Sequence, residues 1–504
     1  MYSKVYSAAI LGTEGRLITV EADLSDGLPS FDMVGALSRE VKEAAARVRT
    51  ALKNAGFRLP PKRVIINLAP ADVKKDGTLF DLPVAAAVLA AMGIVPKENL
   101  KGVLIAGELG LGGEVRPVPG VMVLAACAAQ AGLSRILVPR QNAPEGAVGG
   151  EIAVYGVDHL LQAVSFLRDP DRFSPLRSGG AELGEEEPPE ADFREIRGQE
   201  TAKRAAEIAA AGMHNILLSG PPGAGKTMLA RCIPGILPRP SLEECLEISR
   251  IYSIRGMMPE GQALLTRRPF RAPHHTITAA ALTGGGAVPR PGELSLANHG
   301  VLFLDELPEM SRTALEALRQ PLEERRVVVS RAHGSYEFPA SFMLAAAMNP
   351  CPCGYYPDRN KCRCPESLAA RYRSRISRPL LDRIDLQVRM EPVVYRELTD
   401  TGRETESSAR IRERVERARK RQQERFAGTG ILYNASIPGK EIERYCALGR
   451  EETRLMERLF EQFEMSARGY HRILKVARTI ADLEDSPGIG TRHLKEAVLY
   501  RSGK

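Results

Sequence analysis

The sequence predicts an α/β protein of several domains that ends in an all-helical region, and three observations carry this. A glycine-rich stretch, Gly220-Pro221-Pro222-Gly223-Ala224-Gly225-Lys226-Thr227, lies between a short apolar run at 215–219 and a segment at 228–231 able to continue as a helix. Up to about residue 168, short apolar runs of strand type alternate with stretches of helical apolar spacing. Beyond Pro392 nearly the whole chain is helical in pattern. At 504 residues the chain exceeds what one ordinary core encloses, so two to four domains are expected.

In the front part, 64–68 and 102–106 read as strands, and 40–55 and 82–92 as helices. Between 169 and 192 the sequence turns polar and rich in Pro, Gly and Glu, as a solvated acidic linker does. The expected division is therefore 1–168, linker 169–192, a nucleotide-binding core at 193–392 and helices at 393–504. No apolar run approaches the ~20 residues of a membrane span, and the start lacks the apolar core of a signal peptide. A cytoplasmic protein with no membrane partner is expected. A net charge of +8 permits nucleic-acid binding without establishing it.

The glycine-rich stretch reads as a phosphate cradle. Its glycines, Gly220, Gly223 and Gly225, let backbone N–H groups turn toward phosphates, Lys226 can reach the β- and γ-phosphates, and Thr227 can sit on Mg²⁺. The run 301–304 ends in Asp305 and Glu306. At the end of a buried strand, Asp305 can hold Mg²⁺ through water and Glu306 can polarise an attacking water. A second apolar run, 342–348, ends in Asn349, which would lie between the two motifs. ATP and Mg²⁺ are the expected cofactors.

Eight cysteines are present, and four of them fall in two C-x-C pairs, Cys351/Cys353 and Cys362/Cys364. Four thiolates at that spacing can close around one structural Zn²⁺; reduced thiols or a redox-labile cluster are the other readings. The stretch 327–338 reads as a hairpin. Its resemblance to the hairpin that faces the ring's channel in helicases implies Arg331 and His333 as candidates for phosphate contact, against an ordinary surface hairpin with a solvated arginine. His274 and His275 either touch nucleic acid or phosphate or are simply packed. The helix expected at 407–426 is amphipathic, with arginines over most of its outer face: a solvated helix, or a DNA-backbone contact. Tryptophan is absent, so a stacking platform for single strands has little support.

Several motifs together, at 270–275, 284–286, 291–297, 318–323 and 349–354, resemble the magnesium-chelatase-like AAA+ ATPases, in particular their ComM (YifB-type) branch, over nearly the whole chain. The front domain, through 75–81, 107–109 and 113–120, resembles the Lon-protease-like domain of ribosomal-S5-type fold. The positions matching that fold's Ser/Lys dyad are Leu79 and Met122, so peptidase activity is not expected. The resemblance implies an AAA+ P-loop NTPase core and an all-helical lid. It makes Asn349 a sensor of the γ-phosphate, Arg383 an arginine finger acting in a neighbouring subunit, and Arg468 a second sensor, with Arg472 close behind. A salt bridge of Arg383 to Asp382 or Asp385 is the competing reading. Arg197-Gly198-Gln199 would help hold the base, or is a plain helix start. A hexameric ring that drives DNA branch migration in recombination during natural transformation is the implied activity, with recombination proteins as partners. A chelatase-type protein-remodelling ATPase and an ATP-switched scaffold are the alternatives.

Overall fold

The computed structural model describes residues 1–176, 190–286, 288–331, 334–392 and 405–502. Most of the acidic linker and the start of the last region therefore lie outside the described residues.

The front domain is built on a seven-stranded mixed sheet. Its strands are β1 (Tyr2–Leu11), β2 (Glu14–Ser25), β3 (Ser30–Val34), β4 (Arg63–Ala69), β5 (Val103–Ile105), β6 (Arg135–Pro139) and β7 (Ala153–Val157), in the spatial order β3-β4-β2-β1-β5-β6-β7. A long hairpin, with Tyr2 opposite Asp23 and Leu11 opposite Glu14, forms its centre. Alternation in β2 sends Ile18, Val20, Ala22 and Leu24 inward. The helix Asp81–Ala91 is buried along its whole length, because it lies between the sheet and the helix Arg39–Asn54. Its first residue, Asp81, is fully buried and is held by Arg47 through a two-pronged pair at 2.8 and 2.9 Å. Leu79 and Met122 are both buried apolar side chains.

The core carries a second sheet whose strands are all parallel. These are β8 (Ile216–Ser219), β9 (Phe270–Arg271), β10 (Val301–Leu304), β13 (Met343–Met348) and β14 (Leu386–Arg389), ordered β9-β10-β13-β8-β14. Between β10 and β13 the chain makes a separate antiparallel hairpin, β11 (Arg326–Arg331) with β12 (Gly334–Pro339). Leu218 lies beside both Ala347 and Val388, so β8 is an inner strand covered on both faces, which is why it reads as an unbroken apolar run. Parallel strands all finish at one edge, and the residues that follow β8, β10 and β13 meet there.

The C-terminal helices, chiefly Ser408–Arg425, Ala467–Leu483 and Thr491–Ser502, do not form a core of their own. Ile411, Val415, Ala418, Ile473 and Ile480 share one hydrophobic cluster with Ala205, Ile208, Leu229 and Ile233 of the core helices Glu200–Gly212 and Lys226–Ile236. The front domain also docks on the core: its helix Val121–Gln130 packs on the core helix Leu242–Ile254, and the Gly120 N–H donates to the Ser253 carbonyl at 2.8 Å. Among the described residues no helix is long and apolar enough to cross a membrane.

Candidate nucleotide site

The loop after β8 turns back through Gly223 and Gly225 at φ of 77° and 86°, a region open to glycine without strain. Gly220 is required for a second reason, since a Cβ there would stand 2.5 Å from the Met390 carbonyl oxygen. The loop delivers Lys226 and Thr227 to the first turn of the helix Lys226–Ile236, where unpaired N–H groups and the helix dipole favour an anion.

Lys226 is buried, and its Nζ donates to the carbonyls of Gly220 and Pro221 at 2.8 and 2.9 Å and to Asn349 Oδ1 at 3.1 Å. Burial draws its pKa below the ordinary lysine value, with Asp305 and Glu306 acting in the opposite sense. Thr227 Oγ1 donates to Asp305 Oδ2 at 2.9 Å, so the hydroxyl and the carboxylate stand together as two oxygens that could hold Mg²⁺. The other Asp305 oxygen accepts from the Glu306 N–H at 2.8 Å. Glu306 itself is exposed and sits at φ 49°, in the left-handed region. Lys226, Thr227, Asp305, Glu306 and Asn349, distant in the sequence, are thus gathered at one sheet edge.

His275 Nδ1 lies 3.0 Å from Glu306 Oε2, a contact that sequence reasoning missed. Its ring lies 4.1 Å from that of His274, whose Nδ1 meets Thr276 Oγ1 at 2.9 Å. Only the residue type signalled it: a histidine in a loop carries no period that names its partner. Gln199, at φ 59°, donates from Nε2 to the carbonyls of Ala224 and Glu391 and so fastens the phosphate loop to the exit of β14.

Arg383 is also buried. Its Nη2 pairs with Glu323 at 2.6 Å and its Nη1 donates to the Pro379 carbonyl at 2.7 Å. The pairings with Asp382 or Asp385 weighed from the sequence do not occur: Asp382 takes Arg501 at 3.0 Å, and Asp385 takes His214 at 3.4 Å and Arg472 at 3.6 Å. Arg472 is therefore committed inside the fold, whereas the Arg468 side chain is 65% exposed and stands 4.0 Å from Glu323, the partner of Arg383. Arg331 is exposed at the end of β11, with Nε donating to the Gly286 carbonyl at 3.2 Å; His333 lies outside the described residues.

The four sulfurs of Cys351, Cys353, Cys362 and Cys364 lie within 4.8 Å of one another, with Cys351–Cys353, Cys351–Cys362 and Cys353–Cys362 separations of 3.3, 3.8 and 3.5 Å. A tetrahedral zinc at ~2.3 Å from each thiolate needs sulfurs about 3.8 Å apart, so the donor set fits. The shifts within the cluster are opposed: the Tyr355 amide, with the neighbouring thiols, holds the Cys353 thiol down to about 6, whereas desolvation, with the neighbouring thiols, pushes the Cys362 thiol up to about 12. The sulfur geometry and not the titration therefore carries the fit.

The arginine-rich helix Ser408–Arg425 is less free than its composition suggests. Arg414 pairs with Glu207 and Glu406, Arg425 with Asp482 and Arg421 with Asp485, while Arg419 is buried over the Tyr433 ring. Arg410, Arg417 and Lys420 remain exposed.

A parallel five-stranded sheet with a phosphate loop on its inner strand, an Asp-Glu pair on one flanking strand and an asparagine on the strand between defines an AAA+-type P-loop ATPase. Comparison with known proteins agrees. The profile described as magnesium chelatase, subunit ChlI, matches residues 192–398; a second, subunit ChlI of Mg-chelatase, matches 20–142; and a third, magnesium chelatase, subunit ChlI C-terminal, matches 405–501. The competence protein ComM of Haemophilus influenzae is 44% identical over 99% of this chain and 97% of its own length. The YifB proteins of Salmonella typhimurium and Escherichia coli are each 43% identical over 99% of this chain and over 96% and 97% of their own lengths. The chain belongs to the ComM/YifB family of magnesium-chelatase-like AAA+ ATPases.

Proposed function

We propose that this protein is an ATP-hydrolysing hexameric ring that acts on branched DNA and drives branch migration when incoming DNA is recombined during natural transformation. The observation that carries the reading is the convergence of Lys226, Thr227, Asp305, Glu306 and Asn349 at one sheet edge, in a chain 44% identical to a relative named for competence. In this reading the backbone of 220–225 and Lys226 hold the phosphates, and Thr227 and Asp305 hold Mg²⁺. Glu306 orients the attacking water, and Asn349 senses the γ-phosphate through its contact with Lys226. Arg383 and Arg468 act on the nucleotide at a subunit boundary, a role supported by their meeting at the partly exposed Glu323. Arg331 and His333, with Arg410, Arg417 and Lys420, supply sequence-independent contacts to DNA phosphates.

The division at 1–168, 169–192, 193–392 and 393–504 belongs to the same reading. The front domain is a Lon-like module without peptidase chemistry, which serves assembly or partner binding, recombination proteins among the partners. A structural zinc sits in the four-cysteine loop at 351–364, and the protein works in the cytoplasm. The descriptions of the matching profiles favour a second reading, a chelatase-type ATPase that remodels a protein complex.

The test is ATP hydrolysis and the displacement of three- and four-way DNA junctions by the natural protein and by Glu306→Gln. Glu306→Gln is expected to keep nucleotide binding and lose hydrolysis by about a hundredfold or more, with junction displacement lost in parallel. Hydrolysis that DNA neither stimulates nor accompanies at moderate salt refutes the DNA motor and leaves the remodelling ATPase. Nucleotide binding without hydrolysis in the natural protein leaves only an ATP-switched scaffold.

A further inference from the structure

The four-cysteine loop does not stand apart from the nucleotide site. After β13 the chain places Asn349 on Lys226, and two residues later the buried Cys351 opens the thiol cluster. The next turn, closed by the Gly354 N–H on the Cys351 carbonyl at 2.9 Å, carries Gly354 against Pro222 of the phosphate loop. Gly354 sits at φ 86°, and a Cβ on it would fall 2.5 Å from Pro222 Cδ and 2.8 Å from Pro222 Cγ. Only glycine lets the two loops approach this closely. Beside this contact, Gly220 and Pro221 of one loop and Tyr355, Tyr356 and Lys361 of the other line a cavity of about 520 Å³. The two loops therefore bear on each other at Asn349–Lys226 and at Gly354–Pro222, both within five residues of Cys351.

Besides the thiols, this segment is ordered by short-range turns, among them the Asp358 N–H on the Tyr355 carbonyl at 2.8 Å and the Cys362 N–H on the Asp358 carbonyl at 2.7 Å. Arg359 and Arg373 over the Tyr356 ring add to these, with little apolar packing beneath them. From 349 to 365 there is neither helix nor strand, and its small apolar cluster consists of Cys351, Cys362 and Ala369, with Tyr356 and Cys364 against them. A metal closing four such ligands supplies the ordering free energy that packing does not.

We propose that zinc held by Cys351, Cys353, Cys362 and Cys364 is thermodynamically linked to nucleotide in the phosphate loop, through the contact of Gly354 with Pro222. This rests on the readings of the four-cysteine loop as a zinc site and of the phosphate loop as the ATP site. With zinc in place, Gly354 braces Pro222 and the phosphate loop is set to receive the triphosphate. Without it, residues 351–364 loosen, the brace is lost, and nucleotide must order both loops on binding. Linkage is reciprocal, so bound nucleotide must tighten zinc by the same factor that zinc tightens nucleotide.

The experiment uses the full chain. Zinc content is measured by elemental analysis, and the affinity for a non-hydrolysable ATP analogue with Mg²⁺ by calorimetry, before chelation, after it, and after zinc is returned. One zinc per chain is expected, with analogue affinity falling on the order of tenfold on chelation and recovering on re-addition. Saturating analogue should raise the affinity for zinc, read by competition with a chromophoric chelator, by the same factor. Gly354→Ala, which keeps all four thiols, should retain zinc and bind the analogue as weakly as the stripped protein. A natural protein that carries zinc and binds the analogue equally well with and without it overturns the linkage while leaving the zinc site standing. A protein that never carries zinc overturns the zinc site itself. Loss of analogue binding at every zinc level, with zinc present, overturns the ATP site instead.

Discussion

Glu306 is a non-glycine residue in the left-handed region, a conformation that costs roughly 1 kcal/mol and persists only where neighbours fix it. Two neighbours do so: its N–H donates to the Asp305 carboxylate, and His275 meets its Oε2 at 3.0 Å. His275 touches the carboxylate and not the phosphate loop, so its loss should impair the chemical step and spare binding. In His275→Ala, kcat for ATP hydrolysis is expected to fall about three- to tenfold with KM for ATP unchanged. Steady-state kinetics check this, and a rise in KM at constant kcat would place His275 in substrate binding. The Asp-Glu pair was legible in the sequence because four apolar residues running into two carboxylates form a local pattern. The histidine was not, because its significance depends on which strand end the loop returns to.

Among the elements, the helix Leu242–Ile254 is the joint of the molecule. Its N-terminus is closed by a capping box between Ser241 and Glu244, and its C-terminal end meets the front domain. Its carboxylates reach the loop before β10: His299 Nε2 stands 2.8 Å from Glu247 Oε2, and His299 Nδ1 lies 3.4 Å from Glu244 Oε1. Burial alone would depress the His299 pKa, but the two carboxylates outweigh it and raise the group above its ordinary 6.5. A raised folded-state pKa stabilises the fold fully below the unfolded value, and that stability drains away as pH climbs through the folded one. Glu247, held down first by its hydrogen bond to His299, contributes in the opposite sense and loses its part as pH falls below the ordinary 4.5. The expected result is that His299→Gln costs about 2 kcal/mol near pH 6 and progressively less toward alkaline pH, read as the gap between thermal melting curves. A gap constant from pH 6 to 10 would remove the charged histidine from the account. The strands and helices of this region were readable from apolar periodicity, whereas its histidine–carboxylate tie was not.

At the scale of the whole molecule, the buried Arg383 has no hydrogen-bond partner for Nε among the described residues, and it leans on a Glu323 that is half open to solvent. Arg468 lies at the same carboxylate. If Arg383 serves a neighbour's nucleotide, Arg383→Ala should lower ATP hydrolysis about a thousandfold. Mixing Arg383→Ala with Glu306→Gln should then restore part of it, because a subunit with Glu306 intact receives Arg383 from the other variant. No recovery in the mixture, with both variants still assembling, would place Arg383 in its own subunit's site. If the subunits assemble into a ring, hydrolysis per subunit should likewise rise with protein concentration, which dilution series measured alongside light scattering would reveal.

The sequence by itself determined the phosphate loop, the Asp305-Glu306 and Asn349 strand ends, the four-cysteine cluster and the succession of α/β and helical regions. Each of these is written in residues a few positions apart, whose spacing has a direct physical meaning. Tertiary structure alone decided which groups meet. It set His275 on Glu306, Arg383 and Arg468 at Glu323, and Gly354 against Pro222. It also turned Arg414, Arg421 and Arg425 of the basic helix to carboxylates within the chain and buried Arg419 over Tyr433, and it merged the C-terminal helices into the core's own hydrophobic cluster. The physical reason is that a charge or a glycine acquires its role from the group it touches, and contacts between residues far apart in the chain are fixed only when the sheet order and helix packing bring them together.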